Sequence, residues 1–107
     1  DADPHHELVV AVTDGRVVGC MQLTTIRYLS HRGGTRLQIE GVRVDRERRS
    51  GGIGAAMMRY AIERARESGC HLVQLTTNAQ RTDAHRFYRR LGFEPTHVGF
   101  KLHLPRP

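Results

Sequence analysis

At 107 residues the chain has material for one hydrophobic core but not two; no apolar run reaches the roughly 18 residues that span a bilayer, and no charged-then-apolar leader opens it. On that ground it is read as soluble and cytoplasmic, without a membrane partner. The net charge of +6 is carried by arginine, Lys101 being the only lysine, and suits an anionic ligand; the arginines are scattered, however, and no basic-aromatic interleaving of the base-stacking type is present, which argues against nucleic acid.

Asp1 to His6 reads as a lead-in. Glu7 to Thr13 alternates around Leu8, Val9, Val10 and Val12, Asp14-Gly15 is a turn signal, and Val17 to Tyr28 resumes an extended run, so the two form a hairpin. The loop His31-Arg32-Gly33-Gly34 breaks the pattern, and Thr35 to Val44 is the third strand of an antiparallel meander. Next come the glycine-rich turn Arg49-Ser50-Gly51-Gly52-Ile53-Gly54 and an amphipathic helix. Ile53, Met57, Ala61 and Ala65 recur every four residues along that helix, and Gly69 stops it.

Leu72 to Thr77 reads as a short buried strand, parallel to the third because a helix separates them. Asn78 to Arg81 is a polar loop, Thr82 or Asp83 caps a second helix through Leu91, and Gly92 ends it. Phe93 to Leu104 is apolar enough for one or two closing strands, with a bend at Pro95 and a stop at Pro105. The order strand, strand, strand, helix, strand, helix, strand gives a mixed α/β sheet with helices packed on it.

The glycine turn carries the clearest chemistry. Three glycines in four positions let successive N–H groups converge on one anion, and the start of the following helix adds its dipole. A plain strand-to-helix turn explains the same residues, so the motif needs its context. Cys20 and Cys70 read as small buried apolar groups rather than a disulfide, and the seven histidines show no metal-ligand spacing, so no metal is expected.

That context is a resemblance. Val42-Arg43-Val44-Asp45, then Arg49-Ser50-Gly51-Gly52-Ile53-Gly54, and one strand later Ala84-His85-Arg86-Phe87-Tyr88-Arg89-Arg90-Leu91-Gly92-Phe93-Glu94, together resemble the GNAT superfamily of acetyl-CoA-dependent N-acetyltransferases. The resemblance implies a single domain over 1–107 with a central mixed, largely antiparallel sheet flanked by helices. Family members usually begin with a further strand and one or two helices, so the domain reads as incomplete at its N-terminus. It also implies acetyl-CoA as co-substrate, its pyrophosphate on the backbone of Arg49, Ser50, Gly51, Gly52, Ile53, Gly54 and Ala55. The pantetheine arm would lie along main-chain groups of Val42, Arg43 and Val44, with further contacts at Asn78, Asp83 and His85. Tyr88 matches the tyrosine that family members place near the thioester sulfur, where its hydroxyl protonates the departing thiolate.

Glu40 is the candidate base for the acceptor amine, because it precedes Val42 by two positions and should share its face on a regular strand. A surface glutamate, or a partner for Arg36, explains it equally well. The reading is an acetyl transfer to a primary amine by direct attack, with neither cysteine near the thioester in the motif order. A catalytically weak acyl-CoA-binding or sensing module is the alternative. The acceptor, a small molecule or a protein amine, stays open, as does a homodimer.

Overall fold

A computed structural model describes residues 5–27, 34–48 and 51–106. These fall into two compact units, Asp1–Leu75 and Thr76–Pro107. Tyr28, the loop positions 31–33, and Arg49 and Ser50 lie outside the described residues.

The first unit is a sheet and one helix. Strands β1 (His6–Thr13), β2 (Arg16–Arg27) and β3 (Thr35–Val44) pair antiparallel in sequence order, and β4 (Leu72–Leu75) joins β3 in parallel. The hairpin closes through Asp14 and Gly15, whose φ angles of 51° and 75° fit the right-handed twist of the strands they join. Helix α1 (Ile53–Glu67) is the crossover between β3 and β4. The short strand is half-buried rather than buried, and it ends at Leu75 instead of Thr77.

Alternation decides which side chains meet α1. Met21 and Leu23 of β2 and Leu37 and Ile39 of β3 bury against Met57, Met58, Ala61 and Ala65 of α1. The two alanines keep the helix close to the sheet. Each fully buried large side chain among them contributes roughly 1.5–3 kcal/mol. At the rim, Glu7 of β1 accepts a hydrogen bond from the Tyr60 hydroxyl at 2.6 Å and pairs with Arg64 at 3.2 Å, tying the edge strand to the helix. No described helix is long and apolar enough to cross a membrane.

Regular alternation fails once within β3. Gln22 faces Glu40, but Cys20 faces Arg43, so Met21 has two residues opposite it, Gly41 and Val42. This is a β-bulge, and Gly41 takes it at φ +62°, a conformation that side chains with a Cβ rarely adopt.

The second unit holds α2 (Thr82–Arg90) and an aromatic cluster in which Tyr88 meets Phe87 and Phe93 edge-on, with ring centroids 5.1 and 5.7 Å apart. Arg81, not Thr82 or Asp83, takes the N-cap position of the helix, with no side-chain cap hydrogen bond, and the last turn closes through Phe93 N–H to the Tyr88 carbonyl at 3.0 Å. The closing strands read at Phe93 to Leu104 do not form: residues 93–106 carry no strand. Alternation there is real, and Val98, Phe100, Leu102 and Leu104 are all more than three-quarters exposed. A strand also needs a neighbour's ladder, and none is paired with this segment among the described residues.

Candidate active site

The glycine turn delivers the start of α1 with several N–H donors that have no acceptor among the described residues. Gly51 gives its N–H to the Arg48 carbonyl at 3.1 Å, and Ala56 gives its own to Gly52 at 3.0 Å. Between them the N–H groups of Gly52, Ile53, Gly54 and Ala55 have no acceptor among the described residues, and no side chain caps the helix. Most helices fill this place with Ser, Thr, Asp or Asn. Here the N-cap is Gly52 at φ 81°, a Cβ built on it would meet nothing within 4 Å, and the first turn carries no acid. Gly51 is thus a turn residue whose own amide is already used, which narrows the donor set expected from the sequence.

Electrostatics favour the same ligand. Arg46 and Arg48 stand in the 3-10 turn (Arg46–Arg48) that precedes the glycines. Asp45, which begins this turn by accepting the Arg48 N–H at 2.8 Å, is offset by Arg16 at 3.8 Å. An anion at the helix start therefore meets oriented amides, the positive end of a 15-residue helix, and arginines on the approach.

On the adjacent edge of the sheet, β3 outruns its parallel partner β4. Pairing between β3 and β4 stops at Ile39 and Leu75, while β3 continues through Glu40, Gly41, Val42, Arg43 and Val44 with no β4 residue beside it. An extended polyamide could lie there as an added strand. The bulge falls within this stretch and alters which way its side chains face.

Glu40 and Val42 do not share a face. Glu40 stands opposite Gln22 and Arg43 opposite Cys20, and Gln22 and Cys20 point the same way on β2. Glu40 and Arg43 therefore occupy one face, whereas Val44, opposite Gly19, lies on the face packed by α1. The extra residue at the bulge inverts the phase that an unbroken strand predicts. Cys20 is also nearer this stretch than the motif order suggested, since it is the direct partner of Arg43.

In the second unit Tyr88 is half-buried, and burial pushes its phenol above the usual tyrosine range, against a smaller opposing effect of Arg81. A phenol so placed keeps its proton to higher pH than an exposed tyrosine. Asn78 and His85 are joined, the ring Nε2 lying 3.0 Å from the Asn78 carbonyl, and the Asn78 side chain accepts the Gln80 N–H at 2.9 Å. Those bonds give both residues a structural task in the loop before α2. Asp83 is exposed in the first turn of α2. The Asn78–His85 link was missed from sequence; a polar residue seven positions ahead of a helical histidine is too common a pattern to signal it.

The model of the Acetyltransferase (GNAT) family matches residues 1–93. An aminoalkylphosphonate N-acetyltransferase of Salmonella typhimurium is 36% identical over 98 residues, covering 92% of this chain. The chain spans 63% of that relative's length. Among solved structures, a transcriptional regulator from Bacillus halodurans C-125 superposes with TM-score 0.92 at 48% identity, over 96% of this chain and 69% of its own. Glucosamine-6-phosphate N-acetyltransferase from Arabidopsis thaliana shares the fold alone, with TM-score 0.86 at 17% identity over 94% of this chain and 68% of its own. A glycine turn at a helix start without a side-chain cap, a bulged strand that runs on past its parallel partner, and a family match over most of the chain converge: this protein belongs to the GNAT acetyltransferase family.

Proposed function

We propose that the protein transfers an acetyl group from acetyl-CoA to a primary amine. The observation that carries this reading is the set of N–H groups at Gly52, Ile53, Gly54 and Ala55 that have no acceptor among the described residues, at a turn with room for a ligand. Acetyl-CoA supplies the acetyl group activated as a thioester. The amides at the α1 start hold its pyrophosphate, together with Arg49 and Ser50 by family resemblance, and the β3 backbone from Val42 to Val44 holds the pantetheine arm.

Glu40 accepts the proton that the acceptor must lose before it can attack. An alkylammonium of pKa about 10.4 costs roughly 4–5 kcal/mol to present neutral at pH 7, so a nearby proton acceptor matters. Tyr88 returns a proton to the departing thiolate. Direct attack forms the N–C bond as the C–S bond breaks, and no enzyme nucleophile is required. Asn78, Asp83 and His85 are assigned to the cofactor by resemblance, with Asn78 and His85 fixed in place by their mutual bond.

The test is thiol release from acetyl-CoA by the full-length protein across a panel of amines, beside calorimetric binding of acetyl-CoA. Saturable binding with amine-dependent release supports the reading; absence of both removes it. A second reading, an acyl-CoA-binding or sensing module, is favoured by the likeness to the Bacillus halodurans transcriptional regulator. Tight binding with no release to any amine selects that module.

A further inference from the structure

The bulge at Gly41 brings together two opposite charges that a regular strand would separate. Positions 40 and 43 differ by an odd number and would point to opposite faces of an unbroken strand. With the extra residue absorbed at Met21, both fall on the face turned away from α1. Their cross-strand partners Gln22 and Cys20 are one pleat repeat apart, so the two side chains spring from backbone roughly 7 Å apart.

That spacing is within reach of an ion pair, yet none forms. Glu40 and Arg43 are both exposed, and neither side chain has a hydrogen bond or salt bridge among the described residues. The residues facing them across the ladder, Gln22 and Cys20, are uncharged. Further along the same face of β3 come Gln38 and then Arg36, which has interactions of its own. A carboxylate and a guanidinium thus stand side by side on the stretch of β3 beyond its β4 pairing, neither of them paired among the described residues.

We propose that Glu40 and Arg43 read the two ends of the acceptor, which is a short primary amine carrying an anionic group such as a phosphonate, phosphate or carboxylate. This rests on the acetyl-transfer reading and names its substrate class. Glu40 receives the ammonium end and Arg43 the anion, for which a planar guanidinium offers a two-pronged donor. The pair discriminates by sign at both ends. A diamine would set its second cation against Arg43, and a plain alkylamine would leave the guanidinium without a partner.

The experiment measures kcat/KM by thiol release for three acceptors of matched length: 3-aminopropylphosphonate, butylamine and 1,4-diaminobutane. The full-length wild-type protein should prefer the phosphonate over butylamine at least tenfold. Arg43→Gln should collapse that ratio, and Arg43→Glu should turn the preference toward the diamine. Ratios are the readout because acetyl-CoA is common to all three reactions and cancels. If the variants melt early, methylphosphonate inhibition of the wild type decides instead: competition against the amine supports the proposal, and competition against acetyl-CoA alone overturns it. A wild-type ratio near one, or one unchanged in folded Arg43→Gln, overturns the substrate class while leaving acetyl transfer intact. No thiol release with any of the three amines removes acetyl transfer itself, and this proposal with it.

Discussion

Gly19 and Met57 touch where β2 passes beneath α1: a Cβ added at the glycine would lie 2.9 Å from the methionine sulfur and 3.1 Å from the Arg43 carbonyl oxygen. The thioether can swing away, but the carbonyl sits in a strand and cannot. This contact sets how closely the first turns of α1 approach the bulged part of β3. Gly19→Ala should therefore cost about 1–3 kcal/mol, as overpacking does, and Gly19→Val more. Urea unfolding reads the loss, and acetyl-CoA affinity should fall with it because the Arg43 backbone is displaced. An alanine variant as stable as wild type would show that the approach is looser than described.

Gly52 holds its conformation without steric crowding, so the effect of replacing it is a matter of backbone geometry. At φ 81° a β-branched residue carries strain of roughly 1–2 kcal/mol, or else turns the first amides of α1 aside. Gly52→Val should weaken acetyl-CoA at least tenfold in calorimetry while lowering the melting temperature by only a few degrees. Gly52→Asn, which tolerates the left-handed region, should keep most of the affinity. Equal affinity in the valine variant would move the pyrophosphate away from this turn.

Tyr88→Phe keeps the edge-on ring contacts with Phe87 and Phe93 and removes only the hydroxyl. Loss of a general acid typically costs 10²–10⁴-fold in rate, so turnover should fall about a hundredfold at the lower bound, with acetyl-CoA affinity little changed. The alkaline limb follows from the sign of the shift. Burial raises the folded phenol above its unfolded value, so its contribution to stability is complete below about pH 10 and is lost as pH rises through the folded value. Tyr60 is raised as well, first by the hydrogen bond it donates to Glu7. Absorbance titration should thus show two late phenols, with Tyr88→Phe and Tyr60→Phe each removing one and only the former slowing turnover about a hundredfold.

How much could be read in advance depended on how local each feature is. The hairpin through Asp14-Gly15, the Ile53-Met57-Ala61-Ala65 stripe and the stop at Gly69 are set within a few residues, and all are present in the structure. Glu40 shows the limit. A lone glycine inside a strand hints at a bulge, but whether the register slips, and onto which face, is settled by pairing with β2. The run Val98, Phe100, Leu102 and Leu104 has the pattern of a strand without the pairing that would make it one. The expected cap of α2 at Thr82 or Asp83 is absent for a related reason: the helix starts one residue early, after Arg81, and the Asn78–His85 bond shapes the loop ahead of it.

Cys20 provides the sharpest test of direct attack. As the cross-strand partner of Arg43 it is beside the stretch assigned to pantetheine, so distance alone does not dismiss it as an acyl carrier. It is a free thiol, half-buried, with Arg43 across the ladder from it, but among the described residues no histidine hydrogen-bonds to it to act as its base. A nucleophilic cysteine needs thiolate character from such a neighbour. Cys20→Ser should therefore retain at least about a third of wild-type kcat, because a serine without a base is a far poorer nucleophile and an acyl-enzyme route would lose on the order of a hundredfold or more. Mass spectrometry of the protein incubated with acetyl-CoA alone completes the test. An acetyl group on Cys20, together with a silent serine variant, would replace direct attack by a two-step transfer through that residue.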